Sequence, residues 1–239
     1  MAHISRKELK TDEVRETLAH GAEAVLSHQQ AMTYILIAAV IVAVAVFGWK
    51  TYSERQTVKA SAAFDDAMKT FSAPVGTMGM PPLPGQAIFA DESGKYATAA
   101  AKFEDVAAKY PHTRPGQLAE YYSGLCLVHL NKDGEAKTWL EKAAKGGESD
   151  FASMARFELA GLYDQMGQGD QAINIYQDLL AKPSPMVPKP VILLALAEHY
   201  APKDPVQAAR FYMQIRSEYP DTAIASQAEQ EMALLPKKS

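Results

Sequence analysis

One cysteine in 239 residues, Cys126, rules out an intramolecular disulfide framework and any zinc centre of the multi-cysteine kind. Catalytic signatures are missing too. There is no GxSxG elbow, no HExxH pair and no phosphate-cradling GxxxxGK[ST]. The histidines (His3, His20, His28, His112, His129 and His199) are scattered, and none pairs with another at i+4. No segment carries the dense basic footprint of a nucleic-acid binder, and the net charge is −4. Gly167-Gln168-Gly169 follows no apolar strand and reads as a turn between helices. Asp65-Asp66 and Glu148 with Asp150 read as solvated or helix-capping carboxylates. These absences predict a chain with no catalytic residues, no cofactor, no metal and no nucleic-acid partner. Its function then lies in binding.

Charge is also missing from one long stretch. No Asp, Glu, Lys or Arg occurs between Glu23 and Lys50, and Ala31–Trp49 (AMTYILIAAVIVAVAVFGW) is almost wholly apolar. As a helix it rises about 28 Å, close to the roughly 30 Å of a bilayer's hydrocarbon core. It has no polar stripe, and Tyr34 and Trp49 sit near its ends, where aromatic side chains favour the interface. The spacing predicts a membrane span over 31–49. Thirty mixed-charge residues precede it, so an uncleaved anchor is expected rather than a signal peptide. Four Lys/Arg lie in 1–30 and four in 50–69, so charge does not orient the span.

Residues 1–30 have the apolar spacing of an amphipathic helix, with Val14, Leu18, Ala22, Val25 and Leu26 in phase. A helix is expected to continue from the anchor over 50–71, with Ala60, Ala63, Phe64, Ala67 and Met68 on one face. Ser72–Gln86 then breaks the pattern with four prolines and three glycines, so 72–93 is expected to be a Pro/Gly/Met loop.

Beyond Gly94 the chain repeats. Ala99, Ala136, Ala172 and Ala208 are 37, 36 and 36 residues apart, and each is followed four residues on by Phe103, Leu140, Tyr176 or Tyr212. The small residue lets two helices approach, and the bulky one fills the space to the next pair. A period of about 34 residues built as helix–turn–helix is that of the tetratricopeptide repeat (TPR). The expected fold is all-α: one N-terminal transmembrane helix, then an α-solenoid of about four such repeats over 94–235, with a tail at 236–239.

Gly94-x-Tyr96, Ala99, Phe103, Pro111, Gly124, Ala136, Leu140, Leu159, Tyr163, Gly167, Ala172 and Tyr176 match the TPR pattern. The signature Trp is missing, and unit one lacks an adjacent first helix in sequence. The added HTRPGQLAE after Tyr110-Pro111, echoed by DTAIASQAE after Pro220, resembles the long-linker repeats of bacterial envelope TPR proteins. The whole layout resembles the YfgM family of ancillary SecYEG translocon subunits. CpoB-like cell-division coordinators share the same kind of repeat domain. The YfgM resemblance implies a cytoplasmic tail, an inner-membrane anchor and a periplasmic repeat domain. It implies protein partners: Sec translocon subunits, periplasmic chaperones or unfolded clients. The CpoB resemblance implies instead a structural coordinator of an envelope or division complex. Self-association stays open: an Ala-rich span packs closely, but with only Gly48 it has no GxxxG.

The first helix of each pair lines the concave face of a TPR stack. Counting from the matched positions, that face would present Tyr121, Leu125 and Val128, then Phe157 and Asp164, then Leu193, Ala197 and Tyr200. The expected groove is more apolar and aromatic than charged and suits an extended or helical apolar segment.

Overall fold

A computed structural model of the protein describes residues 29–76, 88–146 and 150–236. Of the expected tail helix over 1–30 all but Gln29 and Gln30, most of the Met/Pro loop, Glu148 and all but Pro236 of the expected tail at 236–239 lie outside the described residues. The described residues form nine α-helices and no strand: α1 (Gln29–Phe71), α2 (Glu92–Lys109), α3 (Arg114–His129), α4 (Asp133–Ala144), α5 (Asp150–Gln165), α6 (Gly169–Ala181), α7 (Lys189–Tyr200), α8 (Pro205–Glu218) and α9 (Ala223–Ala233). The chain divides into two compact units, Met1–Arg55 and Gln56–Ser239.

In the first unit, the apolar residues of α1 from Tyr34 to Tyr52 lie open, with Phe47 and Trp49 more than two-thirds exposed. So much bare hydrocarbon is unstable in water and matched by lipid. Among the described residues, one helix is long and apolar enough to cross a membrane, and this is it.

The second unit is built by stacking. Sequential helices pair in an antiparallel zigzag from α2 to α9, and three cores lie between them. The closing turns explain where each helix stops. At the end of α3, Asn131 takes a left-handed φ of 55° while Lys132 N–H donates to Leu127 O at 2.9 Å. At the end of α5, Gly167 has φ 74° and Gln168 N–H donates to Tyr163 O at 2.8 Å. Both are Schellman closures, which need a residue tolerant of that backbone. The echoed linkers also share one device. Thr113 and Thr222 cap α3 and α9, each hydroxyl donating to the carbonyl of Tyr110 or Tyr219 and accepting from Gly116 or Ala225 N–H.

The repeats begin earlier than Gly94. The last turns of α1 pack on α2 as the first helix of unit one, filling the place that the linear sequence leaves vacant. Phe64 lies 5.4 Å from Phe103, Phe71 lies 5.7 Å from Tyr96, and Lys102 pairs with Asp66 at 2.6 Å. Ala60 and Ala67 are buried on that face, as the 3.6-residue spacing requires. The partner helices are separated in sequence by the Pro-rich stretch, which hides the pair from a linear reading. Two backbone bonds, Gly76 N–H to Phe89 O and Phe89 N–H to Pro74 O, pin the flanks of that stretch together.

Close approach holds each pair. A Cβ placed on Gly124 would come within 2.7 Å of Leu140 Cγ, so α3 and α4 touch where glycine leaves room. Gly124→Ala should therefore lower stability by about 1–3 kcal/mol through overpacking. Phe103→Ala, in the fully buried centre of the first core, should cost about 3–5 kcal/mol. Denaturant titration checks both, and a near-neutral Gly124→Ala would show that α3 and α4 can slide apart.

Candidate functional site

The first helices of the pairs turn one face toward their partners and leave another open. Structure separates the expected groove residues into two groups. Leu125, Val128, Phe157 and Tyr200 are half-buried along the main core, each keeping an accessible edge. Phe157 meets the Tyr176 ring edge-on at 5.7 Å, and Tyr200 stacks on Phe211 at 5.9 Å. Asp164 is also half-buried, with Oδ1 2.5 Å from Nδ1 of the buried His199. The remaining three lie inside the cores: Tyr121 is 5% exposed, and Leu193 and Ala197 are wholly enclosed.

The enclosure of Leu193 and Ala197 corrects the counting by one residue in the fourth unit. From the small residue of the first helix to that of the second is twelve residues in Gly124–Ala136 and in Ala160–Ala172. In the fourth unit, Ala197–Ala208 is eleven. The turn after α7 contains Pro202, has no left-handed residue and closes with Asp204 N–H on Tyr200 O at 2.7 Å. That shorter spacing sets α7 one position out of register, so Leu194 and Ala195 are half-buried and Glu198 is exposed where Leu193 and Ala197 were expected to line the groove. The spacing between small residues, compared unit by unit, carries the signal.

Two neighbouring cavities open here. One, of about 360 Å³, is lined by Gly161, Asp164, Tyr176, Ala195, Glu198, His199, Pro202 and Lys203. The other, of about 610 Å³, adjoins it through His199 and Lys203 and reaches Tyr200 and the start of α6 at Gly169 and Asp170. The lining is therefore more polar than expected, with Tyr176, Glu198, His199 and Lys203 among its residues. Burial pushes the Glu158 carboxyl above its ordinary value. Glu198 is raised by burial and then by the like charge of Glu231. The Tyr176 phenol is held up by burial and by the nearby carboxylates of Asp164, Glu158 and Glu198.

Cys126 belongs to the first core, not to this groove. It is fully buried in α3, and burial pushes its thiol up to about 12, so it is a packing residue with no thiolate to offer near neutrality. Among the described residues no group of three or more His, Cys, Asp or Glu side chains converges as a metal site.

Residues 28–182, well over half of the chain, match a family described as the tetratricopeptide repeat-like domain, TPR_21. The match starts within one residue of α1 and runs past the end of α6, so the apolar helix and the first three helix pairs fall inside it. No curated protein matches the chain in sequence.

The thiol generates a prediction whose sign follows from its direction. The folded chain keeps the Cys126 proton to about pH 12, whereas an unfolded thiol loses it at about pH 8.5. Stability should therefore fall as pH rises above about 8.5, by at most about 1.4 kcal/mol per pH unit from this group. Cys126→Ala should flatten that alkaline slope in urea titrations. Equal slopes in the two proteins would mean that the thiol ionises while folded.

Proposed function

Because the chain belongs to the tetratricopeptide repeat-like domain family, we propose that it is a membrane-anchored protein-interaction scaffold serving the Sec translocon or handing exported clients to periplasmic chaperones. The observation that carries this reading is α1 itself. One unbroken helix, Gln29–Phe71, bears the exposed apolar run in its N-terminal half and supplies the first repeat helix with its last turns. Anchor and scaffold are consecutive stretches of a single element, the layout that resembles the YfgM family. TPR-like stacks are as a rule binding frameworks, not catalysts, and the open edges of Leu125, Phe157 and Tyr200 offer partner-sized surface. In this reading the anchor lies in a bacterial inner membrane, the N-terminus is cytoplasmic and the repeats are periplasmic.

Orientation can be checked alone. In a Cys126→Ser background, a cysteine introduced within 72–86 should react with a membrane-impermeant maleimide once the outer membrane is permeabilised. Labelling only after the inner membrane is broken would reverse the orientation. Partners are checked by in-cell photo-crosslinking from Leu125, Phe157 and Tyr200. Translocon subunits, periplasmic chaperones or diverse secretory chains are the expected products. Capture of one discrete division or envelope complex would instead favour a structural coordinator.

A further inference from the structure

The last helix pair departs from the repeat that precedes it. Counted from the buried Ala208, Val206 and Met213 of α8 occupy the positions held by Asp170 and Gln177 on α6 and by Gly134 and Glu141 on α4. On α2 the same positions are Ala97 and Glu104. Three units place small or polar residues there, and the fourth places valine and methionine. Val206 is 47% and Met213 51% exposed, so burial within the chain does not account for the change. Both border a groove of about 370 Å³ between α8 and α9, lined also by Ala209, Met232, Leu235 and Pro236. Apolar surface gathered in an open concavity marks a contact site.

Charge and position indicate what fits it. Arg210 is the one charged residue in the lining. Its guanidinium makes a long 3.4 Å hydrogen bond to Gln207 and has no ion pair among the described residues. Arg216 and Glu229 neutralise each other at 3.3 Å. Glu231 acts on Glu198 of α7 and on the buried Tyr212, so it faces the stack. In sequence, Pro236 is followed directly by Lys237 and Lys238. The groove is thus an apolar floor with an unpaired cation and no carboxylate in its lining. A further layer of the stack is not the occupant, because α9 closes it. Counted from the capping Thr113 and Thr222, the exposed Gln227 and Gln230 stand where α3 carries Leu118 and Tyr121. A polar outer face is the mark of a terminal capping helix. Pro205 to Met213 rise about 12 Å along α8, about two turns of a docked helix.

We propose that the groove between α8 and α9 docks an amphipathic helix of a partner protein, apolar along one stripe and acidic beside it. The stripe packs on Val206, Met213 and Leu235, and a flanking carboxylate pairs with Arg210. This surface shares no lining residue with the two cavities at His199 and goes beyond the scaffold reading.

The test uses the full chain in nanodiscs of zwitterionic lipid, with empty nanodiscs as the blank. Two fluorescein-labelled, alanine-based helical peptides carry a stripe of leucines, flanked by glutamate in one and by lysine in the other. The glutamate helix should bind above the blank and the lysine helix should not. Met213→Glu, which restores the residue type of Glu104 and Glu141, should weaken binding about tenfold, as loss of a central apolar contact does. Arg210→Gln should weaken it about threefold, the scale of an exposed ion pair. Met186→Glu makes the same change at an exposed apolar site outside the groove and should leave affinity unchanged. Equal binding of the two helices, or equal loss in Met213→Glu and Met186→Glu, would overturn the proposal. So would a peptide-free chain that self-associates in detergent and becomes monomeric only with Met213→Glu, since the occupant would then be a second copy. If crosslinks from Phe157 and Tyr200 persist in cells while the glutamate helix fails to bind, this surface falls and the scaffold reading stands. If the helix binds as expected while no crosslinks form, the surface stands and the scaffold reading falls.

Discussion

Close contact between paired helices is the constraint on which the second unit depends. Gly124 against Leu140, and the fully enclosed Ala99, Ala136, Ala160, Ala172, Ala197 and Ala208, bring backbones near enough for Phe103, Leu140, Tyr176 and Tyr212 to reach across. A solenoid has no central core, so each pair must bury its own faces and those of its neighbours. A Cβ too many at such a point would push the paired helices apart and open the layer beyond. The same spacing leaves the outer edges of the first helices free, so groove and core have one origin.

The first unit obeys the opposite rule. Among the described residues, its apolar side chains find no protein to cover them, and lipid is the solvent that would. The two regimes are joined within α1, where the residues change from all-round apolar to a one-sided stripe of Ala60, Ala63, Phe64 and Ala67. That change of pattern, with no break in the helix, is why the Pro-rich stretch can come after the first repeat helix instead of before it. The pinned flanks at Val75 and Phe89 then return the chain to α2.

Burial raises the cost of charge on the half-buried Glu158, so its carboxyl opposes folding slightly. Stacks of this kind tolerate the cost because neighbouring layers supply stability independently. The main core adjoins the polar cavities through Tyr176, Ala195 and Tyr200.

From one end to the other, the residues alone decided the helical class, the apolar span and the repeat period. These rest on local regularities: composition over nineteen positions, 3.6-residue spacing, and an Ala with a bulky residue one turn later. The inertness of Cys126, set between Leu125 and Leu127, was legible in the same way. What tertiary structure decided was which distant segments meet. The end of α1 pairs with α2 across a Pro-rich stretch, and no pattern within either helix names its partner. The one-residue shift of α7 arises from a turn whose backbone lacks the left-handed residue of its counterparts, so Leu193 and Ala197 went inward and Glu198 outward. The meeting of Tyr176 and Glu198 with Asp164 at one cavity also needed three helices in place, because Tyr176 taken singly reads as ordinary packing and Glu198 as ordinary surface.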